Sequence, residues 1–206
     1  MIKDKRNMKT LRIIALVIIS LAMGATNANA QNAKTKARLA EIRAAYAKAQ
    51  QLADKGMKGP KKNYQVYESW TSDPNGDYHM KTEFFFDNSE VAEPLEVYPC
   101  ELVLARQTSG VFYQEFLYDK DGRLMFAFIR NDYGDGGLTE RRYYYDNNGP
   151  IWMIEKKVDK NTKKVLKEKQ EDISSEDHEF FGDAIYCGRP ASELRQAFEA
   201  MNMIHD

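Results

Sequence analysis

From Tyr64 onward, apolar and polar side chains alternate along the chain with a period of two; before that point they do not. "YQVYESW" (64–70), "YHMKTEFFF" (78–86), "LEVYPCELVLARQ" (95–107), "VFYQEFLY" (111–118), "RLMFAFIR" (123–130), "LTERRYYY" (138–145) and "PIWMIEKKV" (150–158) are short runs rich in aromatic and β-branched residues. Turn formers bound them: "TSDPNGD", "TSG", "DKDG", "NDYGDGG" and "DNNG". Successive side chains of a strand point to opposite faces, so these runs predict an antiparallel meander. A lysine-rich arm, "NTKKVLKEK" (161–169), brings the expected count to seven or eight strands. Residues 33–55, "AKTKARLAEIRAAYAKAQQLADK", contain no Gly or Pro and are alanine-rich, which predicts a helix. Leu39, Ile42, Tyr46, Ala49 and Ala53 share one face of it, with three large side chains among them, so the helix is expected to dock lightly. Gly56, Gly59 and Pro60 end it. Near the C-terminus "SSEDHEFFGDAIYCG" and "PASELRQAFEAMNMI" have helical composition; Leu194, Phe198 and Met201 share a face, and Pro190 stands near the start of the second segment. The predicted fold is α+β: an N-terminal helix, an antiparallel meander, and C-terminal helices packed on it.

Two of the turns repeat. "FLYDKDGRLMF" (116–126) returns as "YYYDNNGPIWM" (143–153), and Asp73-Pro-Asn-Gly76 is an earlier version of the same turn. In each, Asp caps the turn backbone and Gly supplies the positive φ that closes a hairpin. The aromatic residues ahead of the turns align: Phe116 and Tyr118 with Tyr143 and Tyr145, and Phe84 and Phe86 earlier. These six alternate residues are expected on one side of the sheet as cross-strand neighbours. Over residues 112–158 the units resemble the YD-type hairpin repeats of secreted bacterial proteins, in which Y-D-x-x-G-R-L joins adjacent strands. "YDKDGRL" (118–124) keeps the whole pattern; "YDNNGPI" (145–151) keeps Tyr145, Asp146 and Gly149 without the Arg. The resemblance implies strand topology and says almost nothing of activity.

The first thirty residues change the picture by giving the chain an address. Lys3, Lys5, Arg6, Lys9 and Arg12 precede the apolar run "IIALVIISLAM" (13–23), and Ala28 and Ala30 then occupy small-residue cleavage positions. That order is a secretory leader, and the apolar run is short of the roughly 20 residues that span a bilayer. Cleavage after Ala30 is expected to leave an exported chain of 176 residues with no transmembrane segment, organised as a basic helix and linker (31–62) and one meander domain (63–206). Its 25 basic and 30 acidic residues give a net −5, divided into +7 over 31–62 and −12 over 63–206. An acidic body is not a nucleic-acid partner, since phosphate binding needs basic residues clustered on the folded face. Cys100 and Cys187 are the two cysteines, and in an exported chain that even count points to a disulfide.

Candidate chemistry is sparse. His79, His178 and His205 have no Cys or His at ligand spacing, so no zinc site is expected. Asp119-x-Asp121-Gly and Asp132-Tyr-Gly-Asp135-Gly-Gly have the carboxylates of a calcium loop but lack its downstream Glu, and hairpin turns account for both. No phosphate-binding glycine loop occurs, and no metal, cofactor or catalytic residue is assigned. Several strands are apolar on both faces, as expected of a sheet covered on both sides. If part of the second face is open, Tyr113, Tyr144 and Trp152 are its candidate binding residues, since each joins apolar area to a polar handle. The expected function is a non-catalytic exported binding or interaction protein, its partner a protein, glycan or amphiphile. The alternative is a periplasmic carrier of an apolar or amphiphilic ligand held against the curved sheet.

Overall fold

The period-two runs fold into one open sheet whose eight strands follow chain order. In a computed structural model, residues 33–56, 63–73, 76–87, 101–110, 112–132 and 137–203 are described. Helix α1 spans Ala33–Gly56; strands β1 to β8 are Tyr64–Asp73, Gly76–Asp87, Glu101–Thr108, Phe112–Tyr118, Leu124–Asp132, Gly137–Asp146, Gly149–Asp159 and Val165–Asp172; helix α2 is Phe181–Met203. Each strand pairs antiparallel with the next, which leaves β1 and β8 at the two ends of the sheet. The leader and Cys100 lie outside the described residues, as does the centre of the Asp73–Gly76 turn. No described helix is long and apolar enough to cross a membrane.

The compact unit that holds the sheet begins at Ala44, inside α1; residues 33–43 belong to a preceding unit, where Arg38 Nη1 donates to Glu41 Oε1 at 2.8 Å. Leu39, Ile42, Ala49 and Ala53, four members of the expected stripe, are the fully buried apolar positions of the helix.

Two cross-strand rows form the centre of the sheet. Phe84, Ala105, Phe116, Ala127, Tyr143 and Met153 are successive partners on one face, and from Phe84 to Tyr143 large side chains alternate with small ones so that neighbours interdigitate. All six aromatics ahead of the repeated turns belong to this core, together with Ala184, Ala191, Leu194 and Phe198 of α2. The Phe198 ring lies 5.5 Å from both Phe84 and Phe86. Tyr118 Oη donates to the Ala191 carbonyl at 2.7 Å and Tyr145 Oη to that of Ala184 at 2.8 Å, so the two repeats fasten the same helix. Phe85, Leu104, Leu117, Phe126, Tyr144 and Trp152 form the matching row on the opposite face. Burying each such aromatic contributes about 1.5–3 kcal/mol.

Four strands are shifted in register by one residue near their starts, so that Val103, Met125, Ile151 and Leu166 have no direct partner across the preceding strand. An inserted residue reverses the alternation. Leu124 therefore packs with the α2-side core, while Phe126, two residues on, packs on the other face. This is why "RLMFAFIR" reads as apolar on both sides.

The repeated turns have the expected construction. Gly122 and Gly149 hold φ of +73° and +136°. Asp119 Oδ1 accepts from the amides of Asp121 and Arg123, both at 2.9 Å, and Asp146 Oδ1 accepts from Asn148 N at 2.8 Å. A third capped turn has no glycine: Asp159 Oδ1 accepts from Asn161 N and Thr162 N, and Lys163 takes the left-handed φ of +58°.

The C-terminal segment differs from the expected pair of helices. A single helix runs through Pro190. Proline removes one helical hydrogen bond, but Ala184, Cys187, Ala191, Leu194 and Phe198 keep one face on the core across it. Continuous burial outweighs the missing bond. Cys187 is half-buried and has no sulfur partner among the described residues, which do not include Cys100; in its thiol form, burial pushes it up to about 12.

Candidate functional site

The residues expected to offer an aromatic surface share one face of the sheet, but they are packed to different degrees. Tyr144 is enclosed, with its ring 5.2 Å from Phe126 and its position directly across from Trp152. Tyr113 is half-buried two rows away, edge-on to Phe128 at 5.9 Å and beneath the Arg130 guanidinium at 4.9 Å. Trp152 is half-buried, and its Nε1 is a buried donor with no acceptor among the described residues. Arg142 Nη1 is a second such donor; it lies on the same face, diagonal to Trp152 in the register.

Between the apolar row and Tyr113 stands a buried polar cluster. Glu115 is 3 % exposed and accepts from Arg106 Nε at 2.7 Å, from Gln50 Nε2 at 3.3 Å, and from the hydroxyls of Tyr113 and Tyr46. Arg106 Nη2 also reaches Gln50 Oε1 at 2.5 Å. Burial, and then the Glu115 charge, push both tyrosine hydroxyls above their ordinary range. Each carboxylate oxygen already has two donors, and the Tyr46 ring lies 4.8 Å from Phe126. The cluster's chemistry is internal: it pins the end of α1 from Tyr46 to Gln50 onto β3, β4 and β5 and presents no free acid or base.

A cleft of about 170 Å³ opens beside the first repeated turn, lined by Leu102, Asp119, Gly122, Arg195, Phe198 and Glu199 among others. Ligand pockets typically enclose about 300–1,000 Å³, so this space suits a side chain or an ion more than a metabolite. No cluster of three or more potential metal-ligating His, Cys, Asp or Glu occurs among the described residues.

Among the described residues, exposed apolar side chains occur on β8 (Val165, Leu166), on α2 (Ile185, Tyr186) and on the β1 edge. Trp70 is 72 % exposed, and Val66 and Tyr67 are each 43 % exposed. The Trp70 ring stacks on His79 at 4.1 Å with planes 22° apart, which holds the indole flat against the sheet with its outer face free. His79 Nε2 stands 3.4 Å from Glu68 Oε2, an ion-pair distance without hydrogen-bond geometry. Tyr67 leans edge-on against Phe84 at 5.9 Å. At the start of the strand, Tyr64 Oη donates to Glu83 Oε1 at 2.8 Å.

The main chain of this edge is also open. Phe86 N donates to the Asn63 carbonyl at 3.2 Å, and Asn63 precedes the Tyr64–Phe85 pair by one position. Antiparallel pairs alternate between bonded and non-bonded, so Asn63, Gln65, Tyr67 and Ser69 face β2, while Tyr64, Val66, Glu68 and Trp70 direct their N–H and C=O groups outward. No described strand meets them. Comparison with protein-family models, curated proteins and solved structures finds no match to this chain. The site therefore rests on its own geometry.

Sequence reasoning passed over Val66, Tyr67 and Trp70 in favour of Tyr144 and Trp152. A usable signal was present: in a meander the first strand is an edge, and Tyr64–Asp73 contains no Lys, Arg or Pro. Those are the residues by which edge strands discourage pairing. The opposite edge, β8, has Lys167 and Lys169 within it and Lys163 and Lys164 just before it.

Proposed function

We propose that this is an exported, non-catalytic interaction protein that engages a polypeptide through the open edge of β1. The observation that carries the reading is the coincidence, on one ten-residue strand, of outward-facing backbone groups with Val66, Tyr67 and Trp70. Main-chain bonds supply affinity in strand addition, and alternate side chains supply selectivity. The packed rows on both faces support a surface contact over an enclosed ligand. The basic, apolar and small-residue order of the leader supports export, and with it a bridge between Cys100 and Cys187.

A carrier of an amphiphile is the second reading. It is favoured by two buried donors without acceptors, Trp152 Nε1 and Arg142 Nη1, beside the apolar row of Phe126 and Tyr144. An acidic head group would satisfy both donors.

Native mass spectrometry of protein taken from the exported fraction separates the two. The interaction reading expects a bound polypeptide, either a second copy or another chain, that is lost in Trp70→Ala. A bound lipid or fatty acid retained in Trp70→Ala and lost in Trp152→Phe/Arg142→Gln favours the carrier.

A further inference from the structure

The β1 edge is open, but openness alone does not say what occupies it. The strand's own sequence narrows the choice. Consider two copies of β1 antiparallel about a two-fold axis through Tyr67. The outward-facing residues then pair Tyr64 with the second copy's Trp70, and Val66 with its Glu68, and each pair occurs twice. An aromatic meets an aromatic, and the only charge in Tyr64–Trp70 meets an aliphatic side chain. Moving the axis one side-chain step toward the C-terminus sets the two Glu68 carboxylates directly opposite one another. Moving it one step toward the N-terminus carries Trp70 past the start of the other strand. Only outward-facing residues can exchange main-chain bonds across such an axis, so the intermediate registers are excluded. Of the registers centred on Val66, Tyr67 and Glu68, the one about Tyr67 alone pairs Tyr64 with Trp70 and keeps the two Glu68 carboxylates apart, and it brings the exposed Val66, Tyr67 and Trp70 of both copies together.

The other edge shows the contrast. Lysines guard β8, whereas β1 lacks Lys, Arg and Pro throughout. Isologous contacts require one patch to be complementary to itself, and β1 meets that condition.

Resting on the interaction reading above, we infer that the partner on β1 is a second copy of this chain, paired antiparallel about Tyr67 to make one continuous sixteen-stranded sheet. Seven paired residues per copy form a contact below the roughly 800 Å² per partner of a standard interface, so association is expected in roughly the micromolar range.

Sedimentation equilibrium of the mature protein from about 1 to 100 μM, a range bracketing micromolar affinity, tests this. A monomer–dimer equilibrium is expected. Val66→Glu places like charges opposite Glu68 at two symmetric positions and should weaken dimerisation about tenfold or more. Val66→Lys places opposite charges there and should preserve it. Because Val66 also lies across from Glu83 on β2, thermal melts of both variants accompany the measurement. Trp70→Ala, at the most exposed aromatic of β1, serves as the variant least coupled to folding and should also weaken the dimer. A monomer throughout the range overturns the inference, and so does a dimer that Val66→Glu and Val66→Lys affect equally. If the protein is monomeric yet carries another polypeptide that Trp70→Ala releases, the self-pairing fails while the interaction reading stands. If it is monomeric and carries no polypeptide, both fail.

Discussion

Gly122 is fixed by two independent constraints, and replacing it with alanine separates them. Its φ of +73° is left-handed, where an L side chain costs about 1–2 kcal/mol. A Cβ built there would also fall 2.5–2.6 Å from three atoms of the Arg195 guanidinium. Arg195 is flexible and can withdraw, but Nη1 then loses its 2.7 Å bond to the Gly122 carbonyl, worth about 1 kcal/mol. Gly122→Ala should therefore cost about 2–3 kcal/mol. Gly149→Ala has the backbone cost alone, because nothing lies within 4 Å of its Cβ, but its φ of +136° lies beyond the left-handed helical well, so that cost is about 1–3 kcal/mol. The decisive comparison is a double-mutant cycle with Arg195→Ala. That change should cost about 1 kcal/mol in the parent and close to nothing once Gly122→Ala has displaced the guanidinium. Urea denaturation at 25 °C, with unchanged slopes, supplies all four values. Additive costs in the cycle would refute this account of the turn.

Other outcomes follow from the same contacts. Removing Glu115 with Ala leaves Arg106 buried and unpaired and should cost about 3–5 kcal/mol, whereas the double change Glu115→Leu/Arg106→Leu should recover most of that; denaturant melts distinguish them. Burial opposes ionisation of Asp119, yet the main-chain and side-chain bonds from Arg123 hold its carboxyl below the usual range. The stabilisation is therefore present above the unfolded carboxylate pKa and lost as pH falls through the lower folded value. The stability gap between the parent and Asp119→Asn, followed by melts in descending pH, should close in that window. Burial raises the Tyr118 and Tyr145 hydroxyls, so their contribution is complete below about pH 10, the unfolded tyrosine value, and declines above it. Tyr118→Phe and Tyr145→Phe should flatten the alkaline limb of the stability profile, each costing about 1 kcal/mol at neutral pH. Maleimide labelling of unreduced, denatured mature protein should find no thiol; two reactive thiols would remove the Cys100–Cys187 bridge.

The parts of this fold that were legible in the sequence are those set by short-range periodicity. The strands, their order and the one-sided placement of Phe84, Phe86, Phe116, Tyr118, Tyr143 and Tyr145 follow from a period of two and from Asp-x-x-Gly turns. The register shifts at Val103, Met125, Ile151 and Leu166 do not, because an inserted residue looks like any other apolar residue until its cross-strand partner is known. The Asp159 turn was hidden because Lys163 occupies the left-handed position usually given to glycine. Pro190 suggested a boundary that tertiary burial overrides. At the site, residue type was a poor guide to exposure. Tyr144 and Trp70 are both aromatic strand residues, yet neighbouring strands flank one and the other stands at the edge. Position in the meander decides which side chain meets solvent.

If the outward-facing main chain of β1 is the contact surface, its amides are shielded in the exported protein. Residue-resolved hydrogen exchange of protein taken from the exported fraction, compared with the Trp70→Ala variant, tests it most directly. Slowed exchange is expected at the amides of Tyr64, Val66, Glu68 and Trp70 in the parent, and its loss in the variant, with β8 unchanged. Rapid exchange at those four amides in both proteins would contradict it.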